Sequence, residues 1–154
     1  MVIIEDTRQK INKHAKKNAD LFEMGVRVIR CKLPVGDYAV FPSVSVDTKE
    51  NISEIAANLC GSSKERKRFT RECKMAKDLG CKLYVLIEDD HYKAISDLFG
   101  KTIWLMQGRS IPGTQLAQAM EIMQERYGVK FLFCSPDNSA EWIQYLLAKG
   151  CSNE

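Results

Sequence analysis

The stretch VGDYAVFPSVSVDTK, residues 35–49, decides the fold of the N-terminal half and carries its most informative side chains. Two short apolar runs, residues 38–41 and 44–47, flank a Phe-Pro-Ser turn, and this pattern predicts a β-hairpin. With a loop at residues 41–43, the strand pairing is symmetric about Pro42. The register of this hairpin therefore determines which side chains lie opposite each other.

In that register Asp37 lies opposite Asp47, with Cβ atoms about 5 Å apart. Lys49 follows Asp47 by two residues and projects from the same face of the strand. Two carboxylates this close need a cation between them, or one must hold a proton. Mg²⁺ fits because it takes oxygen ligands and leaves room for phosphate and water. An acid followed by acid-x-Lys is thus the layout of a metal-dependent phosphodiesterase, in which the lysine stabilises the developing charge or orients the attacking water.

The alternative is a hairpin with a solvated acidic face and an incidental lysine. Asp is disfavoured in strands, so two on one face of a hairpin need a reason. Asp6, which ends an apolar run at residues 2–4, is the best additional acid for the same cleft.

The composition predicts one globular domain over residues 1–154, with 45% hydrophobic and 28% charged residues. The six cysteines form no CxxC pair, and the chain has two histidines, which argues against a zinc site. There is no signal peptide and no apolar run near 18 residues, so we expect no membrane association and a cytoplasmic location.

The net charge of +3 does not by itself indicate a nucleic-acid partner, but its distribution is uneven. Residues 64–77 carry seven lysines and arginines against two glutamates, and four lysines cluster within residues 10–17. Basic helices beside a phosphodiesterase site would suit an anionic backbone. The alternative for the first group is an ordinary solvated helix face.

Periodicity and turn residues predict alternating strands and helices, which indicates an α/β domain with a mixed sheet because of the hairpin. Beside the hairpin, we predict strands at 2–4, 26–31, 82–88, 102–106 and 129–133, helices at about 8–23, 52–60, 64–79, 91–98, 114–127 and 137–149, and a loop at 107–113.

These residues resemble the nuclease domain of the XPF family of structure-specific DNA endonucleases, a branch of the PD-(D/E)XK superfamily. Residues 33–38 (LPVGDY) are similar to the Gly-Asp segment of that family, and residues 46–49 (VDTK) occupy its Glu-Arg-Lys position. Residues 3–8 (IIEDTR) resemble its opening strand, with Asp6 as the acid, and residues 68–73 (RFTREC) resemble an Arg-x-x-x-Gln helix.

The match departs from the family pattern in three places: Asp47 replaces Glu, Thr48 replaces Arg, and Gln9 replaces Glu. The acid, acid and lysine remain, so an active enzyme is expected. The family's tandem helix-hairpin-helix domain is not part of residues 1–154, so DNA anchoring would need a partner protein, a homodimer or the basic helices.

The resemblance implies a restriction-endonuclease-like fold, with a mixed central β-sheet flanked by helices, and a DNA endonuclease that depends on Mg²⁺ or Mn²⁺. Asp37, Asp47 and Asp6 would hold the metal, and Lys49 would act on the attacking water or the phosphorane. Glu72 would help to orient Lys49. The DNA backbone would be held by Arg8, Lys64, Arg68 and Arg71.

Two other interpretations stay open at this point. One is a catalytically silent DNA-binding or scaffold domain of the same fold. The other is an unrelated α/β binding domain of flavodoxin-like strand order, whose acids lie at strand ends by chance.

Overall fold

The computed structural model describes residues 1–106 and 108–152, which contain eight β-strands. In chain order these are β1 (Val2–Asp6), β2 (Arg27–Cys31), β3 (Tyr38–Val40), β4 (Val44–Lys49), β5 (Lys82–Glu88), β6 (Thr102–Trp104), β7 (Ser110–Pro112) and β8 (Lys130–Cys134). The α-helices of the same residues are α1 (Ala15–Glu23), α2 (Ile52–Cys60), α3 (Ser63–Asp78), α4 (Gly113–Tyr127) and α5 (Ser139–Cys151).

The main sheet has the strand order β2-β1-β3-β4-β5-β8. β1 is parallel to β2 and antiparallel to β3, β3 and β4 form the antiparallel hairpin, and β4, β5 and β8 run parallel. This mixed sheet confirms the α/β prediction. It excludes the flavodoxin-like alternative, which requires a doubly wound sheet whose strands all run parallel.

Helices cover both faces of the sheet. On one face, α2, α3 and α4 pack against alternate residues of β5, namely Leu83, Val85 and Ile87. On the other face, α1 and α5 pack against Leu86 of β5 and against the hairpin. Burying one such side chain contributes roughly 1.5–3 kcal/mol. The predicted strand at residues 82–88 is confirmed, and its burial on both faces is typical of a strand inside a covered sheet.

The basic helix α3 is anchored at its start by a capping box. The Ser62 hydroxyl accepts the Glu65 N–H at 3.3 Å, and the Glu65 carboxylate accepts in return from the backbone of Ser62. The apolar side chains of α3 that are buried, Phe69 and Cys73 among them, face the core. The cations of the helix are therefore left on its outer faces.

Three sequence-based predictions were wrong. The helix predicted at about 91–98 is only a short 3₁₀ helix, Ile95–Leu98. The helix predicted from residue 8 begins at Ala15, and residues 7–14 consist largely of turns. Ile11, within these turns, is 68% exposed and therefore does not provide the buried face that a helix here would need. The predicted loop at 107–113 contains β7, since Ile111 is buried and pairs with Ile103, while Gln107 lies outside the described residues.

Within the described residues, no helix combines the length and apolar composition needed to cross a bilayer.

Candidate active site

The β3–β4 hairpin has the predicted register. Tyr38 pairs with Val46, which is symmetric about Pro42. Asp37 directly precedes β3, and its N–H donates to the carbonyl of Val46 at 2.9 Å. Asp47 lies on β4, so the two carboxylates occupy the same end of the hairpin.

An open cleft of about 650 Å³ lies over this end of the sheet. Its floor is acidic and its rim is largely basic. The lining residues are Asp6, Arg8, Gln9, Lys13, Pro34, Gly36, Asp37, Asp47, Thr48, Lys49, Glu54, Arg68, Arg71, Glu72 and Met75.

The fold brings together every predicted site residue except Lys64. Lys64 is exposed near the start of α3 and is not among the residues lining the cleft. Proximity of the others is a structural finding, whereas their chemical roles stay predictions.

Asp37 is held by hydrogen bonds that the sequence did not indicate. Its Oδ2 accepts from both the N–H (3.0 Å) and the hydroxyl (2.7 Å) of Thr48, and its Oδ1 accepts from the side-chain amide of Gln9 at 2.8 Å. Gln9 and Thr48 are two of the positions where the chain departs from the XPF-type pattern. At both positions the replacing side chain now fixes the Asp37 carboxylate.

Asp47 and Lys49 form a buried ion pair, with Oδ2 and Nζ 2.7 Å apart. Burial raises the pKa of Asp47 to about 6, with Lys49 acting against this shift and Asp37 adding to it. Burial alone would lower the pKa of Lys49, but the Asp47 carboxylate outweighs burial, and the net shift is upward. The Asp47 carboxylate therefore favours the charged form of Lys49.

Glu72 contacts the turn that precedes Asp37. Its Oε1 accepts the N–H of Gly36 at 2.9 Å, whereas the carboxylate that pairs with Lys49 is Asp47. Gly36 has φ +75°, and a Cβ there would collide with the Ser45 hydroxyl. Glu72 thus holds the Gly-Asp turn in place and acts on Lys49 through its charge.

Asp6 links β1 to the cleft. Its Oδ2 pairs with the Arg8 guanidinium at 2.6 Å, and its Oδ1 accepts the N–H of Leu33 at 3.0 Å. Its own N–H donates to the carbonyl of Asp37 at 2.8 Å. Asp6 therefore holds Arg8 at the rim of the cleft, and it also holds the backbone at Asp37.

His14 is a site neighbour that sequence reasoning did not assign. It is 3% exposed, and neither ring nitrogen has a hydrogen-bond partner among the described residues. Its Nε2 lies 3.7 Å from Oδ2 of Asp37. Burial, together with Lys17 and Lys13, lowers the pKa of His14 to about 4. His14 is therefore neutral beside Asp37 at pH 7.

Replacing His14 by Gln is expected to make the protein less sensitive to acid. As the pH falls from 6.5 toward 4, the unfolded chain protonates His14 before the folded chain does, so folding loses stability in this window. At pH 5 the wild type should lose about 2 kcal/mol of unfolding free energy for this reason, and His14→Gln should not. Urea denaturation of both proteins at pH 7 and pH 5 measures this difference.

His91 provides the matched control, since it is exposed and Asp89 raises its pKa. His91→Gln should not reduce the acid sensitivity. Equal losses for wild type and His14→Gln would mean that His14 is not held neutral in the fold.

A second group of possible metal ligands, Asp89, Asp90 and His91, lies outside the cleft. The oxygens of Asp89 already accept from Ile52 N–H and from His91. These hydrogen bonds stabilise the local loop, which explains why the three side chains lie together.

The hairpin, the flanking parallel strands and the cleft above them define a restriction-endonuclease-like α/β domain. The ERCC4 domain matches residues 5–146. The chain therefore belongs to the ERCC4 domain family, and the sequence-based assignment to an XPF-type nuclease domain is confirmed.

Individual relatives agree with this assignment. The chain is 32% identical over 95 residues to the DNA repair protein RAD1 of Saccharomyces cerevisiae, a match that covers 62% of this chain and 8% of RAD1. The structure of XPF from Aeropyrum pernix in complex with DNA has a TM-score of 0.69 at 21% identity and covers 98% of this chain. The structure of that XPF without DNA gives the same TM-score and identity and covers 99% of this chain. The chain spans 65% and 66% of the two XPF chains, so it corresponds to only part of each relative.

Proposed function

We propose that this domain is a metal-dependent DNA endonuclease that hydrolyses phosphodiester bonds in branched or flap DNA. One observation carries the proposal. Asp37, Asp47 and Lys49 are only 3%, 6% and 8% exposed, and they line one cleft with Arg68 and Arg71. Burying three charged groups at one place is costly unless they serve a common purpose.

The donor set fits a hard divalent cation such as Mg²⁺ or Mn²⁺. Asp37 and Asp47 offer carboxylate oxygens, and the raised pKa of Asp47 means that its charged form needs more positive charge than Lys49 alone supplies. Asp37 and Asp47 would hold the ion, with Asp6 assisting from β1. A bound ion of this kind polarises the scissile phosphate and lowers the pKa of the attacking water.

The remaining side chains supply positioning and charge. Lys49, which stays protonated, would stabilise the phosphorane or orient the water. Arg68 and Arg71 would hold the phosphate backbone at the rim, where such contacts fix the DNA without reading its sequence. Arg8, held by Asp6, would add a third cation on the β1 side. Lys64 would contribute only from outside the cleft.

The relatives support DNA as the partner. One of the similar structures is a complex with DNA, and RAD1 is a DNA repair protein. Both relatives are longer than this chain, so we further propose that a second copy or a DNA-binding partner protein helps to anchor the substrate.

The purified protein is expected to cut labelled fork, flap or duplex DNA in Mg²⁺ or Mn²⁺ and to lose all cleavage in EDTA. Affinity for DNA should fall steeply with salt concentration, because backbone contacts release counterions. The same assay on Asp47→Ala should show no cleavage. Cutting by Asp47→Ala at the wild-type rate would refute the assigned metal site.

The silent-domain alternative is favoured by one specific observation. The carboxylates of Asp6 and Asp37 already accept hydrogen bonds from Arg8, Leu33, Gln9 and Thr48. That domain would bind DNA in every buffer and cut in none. A cleavage assay beside a binding assay separates the two functions.

A further inference from the structure

A second groove lies next to the active cleft along α3. It has a volume of about 710 Å³ and is lined by Ser63, Arg66, Lys67, Thr70 and Arg71. Arg71 lines both the groove and the active cleft. The two depressions therefore meet at this arginine.

Helix geometry explains the division of the α3 side chains. Thr70 follows Arg66 by four residues and Lys67 by three, so it shares one side of the helix with both. Arg68 and Glu72 lie on the neighbouring face, which lines the active cleft. From Ser63 to Arg71 the helix rises about 12 Å. Phosphates of one DNA strand follow at about 3.4 Å of rise along the duplex axis, and their separation along the backbone is longer than this rise, so a groove of this length reaches more than one phosphate.

Within residues 1–106 and 108–152, the cations of this half of α3 have no acidic partner. Among the described residues, Arg66, Lys67 and Arg68 form no ion pair, and Glu65 is engaged in the capping box with Ser62. The other half of the helix differs. There Lys74 pairs with Asp78 at 2.6 Å, and Lys77 donates to the carbonyl of Arg126 at 2.8 Å.

We infer that this groove holds the backbone of the DNA strand next to the scissile phosphate, with Arg71 at the junction. The inference rests on the proposed function and deepens it. Hydroxyls of Ser63 and Thr70 and the charges of Arg66 and Lys67 are donors suited to phosphate oxygens and carry no base specificity. The groove thus binds the strand beside the cleft without selecting its sequence.

The test compares Arg66→Gln/Lys67→Gln with Lys74→Gln/Lys77→Gln, which removes the same charge from the same helix. Binding of labelled duplex DNA is measured by fluorescence anisotropy in EDTA over a range of salt concentrations. The first variant should flatten the slope of log affinity against log salt by about 1.8, because two phosphate contacts are lost. The control variant should keep the wild-type slope. All four side chains lie on α3 at its exposed surface, and thermal unfolding verifies that both variants fold.

Neutral methylphosphonates placed one at a time along one arm of a DNA fork, whose junction fixes the register of the bound protein, locate the contact. At the positions held by the groove they should weaken wild-type binding and have little further effect on Arg66→Gln/Lys67→Gln. Equal salt slopes for the two double variants would overturn the inference. It would also be overturned if the methylphosphonate profile of Arg66→Gln/Lys67→Gln were the same as that of the wild type.

The two proposals fail in distinguishable ways. If the wild type cleaves DNA and Arg66→Gln/Lys67→Gln keeps the wild-type salt slope, the groove is not a DNA-binding site but the nuclease proposal stands. If the salt slope is flattened and the methylphosphonate profile is as expected, but no metal ion supports cleavage, the nuclease proposal is refuted. The groove is then a DNA-binding surface of a domain that does not cut.

Discussion

Replacing Asp37 by Asn is expected to lower the rate of metal-dependent DNA cleavage by about a thousandfold or more. The substitution removes one of two buried carboxylates proposed to hold the cation. It also brings an amide NH₂ group next to donors, because Thr48 and Gln9 both donate to the carboxylate of Asp37. One donor would be left facing another, at a cost of about 1–3 kcal/mol in stability.

Single-turnover cleavage and thermal unfolding, each with and without Mg²⁺, measure these two effects. Asp78→Asn is the matched control, since it removes an exposed carboxylate that pairs with Lys74 on α3. The control should cut and unfold like the wild type. Full cleavage by Asp37→Asn would exclude Asp37 as an essential ligand.

Replacing Lys49 by Met is expected to reduce cleavage by about a hundredfold to a thousandfold, with DNA affinity close to that of the wild type. Lys49 is buried on β4 with its ammonium group against Asp47, whereas the cations that would hold DNA lie at the rim. The substitution therefore acts on the chemical step. A matched control is Lys74→Met, which removes an exposed lysine that pairs with Asp78.

The same substitution should cost about 3–5 kcal/mol of stability near pH 8, because Asp47 keeps its buried charge without a partner. The pKa of Asp47 in the fold is already raised to about 6 from 3.8, and loss of Lys49 raises it further. The folded state then holds this proton to higher pH than the unfolded chain does. Ionisation of Asp47 therefore costs the Lys49→Met protein no stability below about pH 4, and the cost grows as the pH rises through the folded pKa.

Denaturant titrations at pH 5 and pH 8 measure this penalty for Lys49→Met, which should be smaller at pH 5. Mg²⁺ should also restore part of the lost stability at pH 8, since the cation replaces the missing positive charge. A penalty independent of both pH and Mg²⁺ would show that loss of the cation–π contact between Lys49 Nζ and the Phe69 ring, 5.3 Å from its centroid, dominates.

Local rules were enough to predict the centre of the site. The alternation of β3 and β4 and the turn around Pro42 fix which residues are opposed, so Asp37, Asp47 and Lys49 could be brought together from one short stretch. The basic helix at residues 64–79 and the apolar strand at residues 82–88 were equally predictable, because their signals lie within the segments themselves.

Contacts between distant segments were not predictable in this way. Gln9 reaches Asp37 across 28 residues, and Glu72 reaches Gly36 across 36. Residues 7–14 matched a helical spacing, yet most of them form turns, and Gln9 and Lys13 line the cleft. The burial of His14 follows from that path rather than from any local pattern.

The sequence by itself determined the hairpin, its register and the identity of the acid, acid and lysine, because a two-residue period and a turn act over a few residues. Only the tertiary structure decided which side chains hold Asp37, that Glu72 supports the Gly36 turn, and that Lys49 is buried against Asp47. These depend on how β1, β4 and α3 pack together, and burial sets the pKa values of the site once that packing excludes water.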